Sequence, residues 1–181
     1  MNFHPLLVHF PIALWSVYAL LEIATLWWRR FDARVRWLKG MLVVLGTIAA
    51  VPTIIFGGYA EELIGKGASE RIHRLIEAHE AFALSAFVVF LVISLAYAFY
   101  LTHNPERVAL VFSRWGWGVY VRRLYDWKVL LAQHMVERWF VKVLAAVGLV
   151  LLTIAGALGA AVAHGTESDI LVSAVVDWLG L

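Results

Sequence analysis

The sequence predicts an all-α, polytopic membrane protein: a four-helix bundle with a long cytoplasmic amphipathic segment between helices three and four. Three observations predict it. The 181 residues are 62% hydrophobic and only 15% charged, with a mean hydropathy of +0.80; soluble domains run nearer ~45–50% apolar and ~25% charged. Four apolar stretches approach or exceed the ~20 residues that a hydrocarbon core requires. The charges fall unequally on alternate connections between them. A soluble fold of this length buries only roughly 70% of its chain surface, too little to hide so much apolar side chain, so a cytosolic globular enzyme is not expected.

The stretches run from about 3–28, 38–64, 78–101 and 139–163 within a single membrane domain, 1–181. In lipid the backbone must satisfy its own hydrogen bonds, so each is expected to be a helix. The first lacks a basic n-region and is too long and aromatic for a cleaved signal peptide, so it is expected to be a retained span. The connection after it, from Trp27 to Lys39, is short and basic. The next, from Ile64 to Glu77, is short and mixed in charge. The third, from Thr102 to Arg138, is long and broken by Asn104-Pro105. Within it, 119–136 places Tyr120, Leu124, Trp127 and Leu131 at helical spacing opposite Arg122, Arg123, Asp126 and Lys128, the pattern of an interfacial helix rather than a fifth span. Pro52 with Gly57 and Gly58 is the one hint of a broken helix inside a span.

Four spans put both termini on one side, A, together with the second connection. Side A carries 3 basic and 8 acidic residues; side B, with the first and third connections, carries 12 basic and 4 acidic. The positive-inside rule makes side B cytoplasmic and side A extracytoplasmic, the periplasm of a bacterial inner membrane. Most tryptophans, among them Trp27, Trp28, Trp37, Trp127 and Trp139, lie near the ends of the stretches and mainly on side B, as an aromatic belt does. Glu22 is the one acid inside a span. It is expected to pair with a side B arginine or bond a neighbouring helix, or else to serve a proton path, since intramembrane ionisable groups mark function.

Five of the seven histidines fall on side A: His4 and His9 opening the first span, His73 and His79 opening the third, His164 closing the fourth. Imidazole is a common metal ligand, and two histidines on facing helices hold a haem iron axially. With no cysteine in the chain, thiolate sites and covalent c-type haem are excluded, leaving a non-covalent haem b. His9, His79 and His164 are the axial candidates, with His4 shallower. The small residues of the fourth span, Gly156 and Gly159 among them, would open a slot for a macrocycle, or serve only close helix packing. Glu61, Glu62, Glu77 and Glu80 share side A and keep a Zn, Cu, Fe or Mn site open as the alternative.

The opening run Phe3-His4-Pro5-Leu6-Leu7-Val8-His9-Phe10-Pro11-Ile12-Ala13 resembles the HPxxVHFPIA-type start of a bacterial four-span membrane family, the Domain of Unknown Function 2231 family. The matching later positions are His79 and the run from Gly156 and Gly159 to His164-Gly165. The fourth-span motif departs from the family's Gly-Gly and Tyr, with Gly-Ala and Ala163 in their place. Some members of that family are fused to cytochrome c-like domains, so the resemblance implies respiratory electron transfer.

Three functions compete. The first is a membrane b-type cytochrome, an electron carrier rather than a stand-alone enzyme, working beside other respiratory subunits or a periplasmic cytochrome c. The second is a non-catalytic accessory subunit of a respiratory complex. The third is a His/Glu metal-ion protein. No phosphate-binding glycine loop and no HExxH motif is present, and the basic residues are explained by topology rather than nucleic acid.

Overall fold

The structure, a computed structural model, describes residues 7–65, 67–104 and 118–181; the side chains of 29, 60–65 and 118–119 lie outside that description. The described residues form helices and no strand: α1 (His9–Ala24), α2 (Arg29–Gly65), α3 (Glu70–Thr102), α4 (Gly118–Glu137), α5 (Phe140–His164) and α6 (Ile170–Leu179). Three of them, α2, α3 and α5, are long and apolar enough to cross a membrane. α1 is apolar but has 16 residues, about 24 Å of helix at 1.5 Å per residue.

Local chemistry explains most of the boundaries. Pro11 lies in the first turn of α1, where a missing N–H leaves no intrahelical bond unmade. Ser69 caps α3, its hydroxyl accepting from the Ile72 N–H at 3.4 Å. Gly165 ends α5 at φ 96°, a conformation that L side chains rarely adopt, and so makes His164 the last helical residue. α2 continues unbroken through Pro52 to Gly65, so the hint of a broken span there is overturned. Thr53, next to that proline, bonds its hydroxyl back to the Ala49 carbonyl at 2.9 Å.

Two expectations shift. Helix begins at Arg29 rather than near Leu38, and at Glu70 rather than Ala78, because charged residues such as Arg30, Arg34, Arg71 and Arg74 are good helix formers wherever water covers them. An interfacial helix was expected over 119–136; a helix is found there, α4, Gly118–Glu137. α6 had no expectation at all. Its start is set by Asp169, whose carboxylate accepts from Leu171 N at 2.7 Å and Val172 N at 3.0 Å.

α1 packs against α2 and α5, and α3 packs against α2, α4 and α5; α6 lies on α5. The centre is aromatic: Trp15 stacks on Phe90 at 4.6 Å, and Tyr18 meets Phe90 and Tyr97 edge-on at 6.3 and 5.9 Å. Such pairs add about 0.5–1.5 kcal/mol each beyond area burial. Trp15 Nε1 donates to Thr47 Oγ1, which lies 2.6 Å from Ser94 Oγ. The outward faces are the apolar ones: Leu45, Ile48, Val88, Val92, Val143 and Val150 are all exposed while Thr47, Ser94, Glu22 and Lys39 are buried. A chain with polar groups inside and aliphatic ones outside suits a hydrocarbon surround.

Candidate functional site

The two ends of the helix assembly carry different chemistry. At one end stand the start of α3 and the close of α5. His79 projects from α3 onto α5, where its Nδ1 lies 2.8 Å from the Ala155 carbonyl oxygen. A carbonyl only accepts, so Nδ1 carries a proton; in the neutral ring Nε2 is then the atom with the lone pair. This is the arrangement by which a backbone carbonyl orients a ligating imidazole. Gly159 makes the approach possible: a Cβ there would stand 3.1 Å from His79 Cε1. Gly156 has the opposite environment. A Cβ there would meet nothing within 4 Å, and the residue opens on a cavity of about 260 Å³ between α1, α5 and α6, lined by Ile12, Ser16, Leu152, Thr153, Ala160 and Asp169, among others. The two glycines expected to shape one slot thus have different surroundings, the His79 ring at Gly159 and the cavity at Gly156.

The other histidines are more superficial. His9 is the first residue of α1 and His164 the last of α5; both are exposed, as is His73. His4 lies outside the described residues, as do the side chains of Glu61 and Glu62. Glu77 and Glu80 are exposed. Among the described residues no group of three His, Asp or Glu side chains is placed to hold a metal ion.

At the opposite end the structure holds a network that sequence reasoning only touched. Glu22, fully buried in α1, receives Lys39 of α2 at 2.9 Å, Lys142 of α5 at 3.0 Å and the Tyr97 hydroxyl of α3 at 2.9 Å. Lys39, 1% exposed, also meets Asp32 at 2.5 Å. Arg36 pairs with Asp32 at 3.6 Å and Glu137 of α4 at 3.8 Å, and donates to the Tyr100 hydroxyl at 2.5 Å. Three acids and three bases from four helices, with Tyr97 and Tyr100 of α3, thus join the ends of five helices with no net formal charge. Glu22 was expected to meet an arginine or a neighbouring helix; it meets two lysines and a tyrosine. Lys39 and Lys142 carried a signal only as positive-inside residues, because Lys142 lies 120 residues from Glu22 in sequence.

With donors on both oxygens, Glu22 is a clamp between helices. A buried pair is weakly stabilising against an apolar alternative, yet costly to break from one side. Beside it the Tyr18 hydroxyl is buried near Glu22 and Tyr97 and makes no well-formed hydrogen bond among the described residues.

No protein-family model matches the chain, and neither curated proteins nor solved structures yield a match. The family resemblance therefore rests on its motifs alone.

Proposed function

We propose that the chain is a four-span membrane protein that holds a b-type haem near its extracytoplasmic end and serves respiratory electron transfer. In this reading α1 joins α2, α3 and α5 as the fourth span of the bundle. Its Glu22 meets Lys142 near the start of α5, while Ile12 and Ser16 share a cavity with Leu152 and Ala160 near its end, so α1 runs beside most of that helix. The lysine- and arginine-rich end takes the cytoplasmic side by charge.

The observation that carries the haem reading is the His79–Ala155 bond. It orients the ring with Nδ1 toward Ala155, so the neutral imidazole would offer Nε2 to a haem iron among apolar and small residues. His9 or His164 would supply the second ligand from α1 or α5. The cavity beside Gly156, at about 260 Å³, is smaller than the ~300–1,000 Å³ typical of ligand pockets, and none of His9, His79 and His164 lines it, so it is not the seat of the haem in this reading. The group, when bound, supplies one-electron transfer. The chain's own part is to orient His79, to exclude water with the apolar faces of α1 and α5, and to set the surrounding polarity. A haem needs two protein ligands at most, whereas a structural zinc site needs four, and among the described residues no group of three such ligands is placed together.

An accessory-subunit reading draws on α4. It docks through Val129, Ala132 and Val136, leaving Tyr120, Leu124, Trp127 and Leu131 exposed. Visible spectra of single variants separate the two. His79→Ala is expected to abolish the haem Soret band, with one of His9→Ala and His164→Ala doing the same. A band retained in all three variants rejects the ligand assignment. Normal complex assembly with no cofactor in the wild type favours the accessory subunit.

A further inference from the structure

The turn from α1 to α2 leaves an open groove of about 830 Å³ lined by Trp27, Trp28, Arg30, Phe31 and Arg34. It sits at the same end as the Glu22 network, where the basic residues concentrate. Arg30 and Arg34 are four residues apart, so their side chains share one face of α2. Asp32, between them in sequence, is taken up by Lys39 and Arg36 in the buried network. The lining therefore presents two guanidinium groups and no carboxylate. Around them Trp27, Trp28 and Phe31 are 74%, 67% and 45% exposed, an apolar cost in water that an interfacial setting removes. The groove continues into an apolar strip. Steps of three and four residues from Arg34 lead along the same face through Trp37, Met41, Leu45 and Ile48, all exposed.

We propose that this groove binds an anionic phospholipid. Its phosphodiester lies between Arg30 and Arg34, since guanidinium forks match phosphate oxygens in pairs. The glycerol region rests on Trp27, Trp28 and Phe31, and an acyl chain follows the strip along α2. A free phosphate would engage the arginines but leave the strip unused, so charge and hydropathy together select the lipid. The site lies at the far end from His79 and is independent of any cofactor there.

The test is lipid binding to the purified full chain in a neutral detergent, read by native mass spectrometry and by the thermal midpoint. The probes are phosphatidylglycerol, phosphatidylcholine and inorganic phosphate. Phosphatidylglycerol is expected to stay bound and raise the midpoint, and the other two to do neither. At about 1 kcal/mol per basic residue near a charged lipid surface, Arg30→Gln with Arg34→Gln is expected to weaken phosphatidylglycerol binding roughly 30-fold. Arg74→Gln, at the opposite end, is expected to leave it unchanged. Equal binding of phosphatidylcholine and phosphatidylglycerol to the wild type overturns the proposal, as does an equal effect of inorganic phosphate. Undiminished binding in the folded double variant overturns it too; the wild-type comparison decides the matter should that variant not fold.

Discussion

Replacing Glu22 by glutamine keeps the shape of the side chain and removes its charge. The four groups nearest the clamp, Glu22, Asp32, Lys39 and Lys142, are balanced; the substitution leaves one positive charge in excess among residues 0–17% exposed. Breaking a buried pair from one side costs about 3–5 kcal/mol. Here Lys39 keeps Asp32 at 2.5 Å and Lys142 keeps it only at 3.9 Å, so the cost falls near the lower bound, about 3 kcal/mol. The assay is reversible unfolding in mixed micelles, followed by fluorescence of the nine tryptophans. Adding Lys142→Gln to Glu22→Gln restores the balance. The double variant is expected to lose less than the sum of the singles by at least about 1 kcal/mol, within the range for contacting residues. A cost below about 1 kcal/mol for Glu22→Gln, or simple additivity in the double variant, would refute the clamp.

Other substitutions test the packing from both directions. Tyr18→Phe removes a buried hydroxyl that makes no well-formed hydrogen bond among the described residues and is expected to leave stability unchanged or raise it by about 1 kcal/mol, measured in the same unfolding assay. Gly148→Ala would set a Cβ 2.9 Å from Phe90 Cζ and 3.2 Å from Val89 Cγ1, and is expected to cost about 1–3 kcal/mol. Gly156→Ala meets open space and is expected to be neutral or to gain up to about 1 kcal/mol from helix propensity; a loss as large as that of Gly148→Ala would show the cavity to be closed. Asp169→Ala removes the cap of α6 and is expected to cost about 0.5–2 kcal/mol, seen as faster amide exchange over Ile170–Leu179 with little change elsewhere.

Much of the architecture was legible in residue patterns. Hydropathy located the apolar cores of α2, α3 and α5, and the spacing of Tyr120, Leu124, Trp127 and Leu131 located α4 with its exposed stripe. Hydropathy did not mark where helices end in water, which is why α2 and α3 extend past the apolar windows. α6 escaped although Asp169 before an apolar run is a recognisable cap signal; ten residues are too few to register as a span. Glu22 was visible as an anomaly, but its partners were not, because Lys39, Tyr97 and Lys142 come from three other helices and no local spacing encodes that meeting. At the other end His79 was legible through its depth in α3. Its contact with Ala155 and Gly159 depends on the register between α3 and α5, which only packing sets. The different surroundings of Gly156 and Gly159, open space for one and the His79 ring for the other, were hidden for the same reason: what a small residue meets depends on which neighbour fills the space beside it.

The most direct test is the haem content of the wild-type protein, purified from membranes of a host supplied with haem precursor and measured as the pyridine haemochrome against chain concentration. A ratio near one haem b per chain is the predicted result. A colourless, folded protein that takes up no haem on reconstitution would contradict the proposed function.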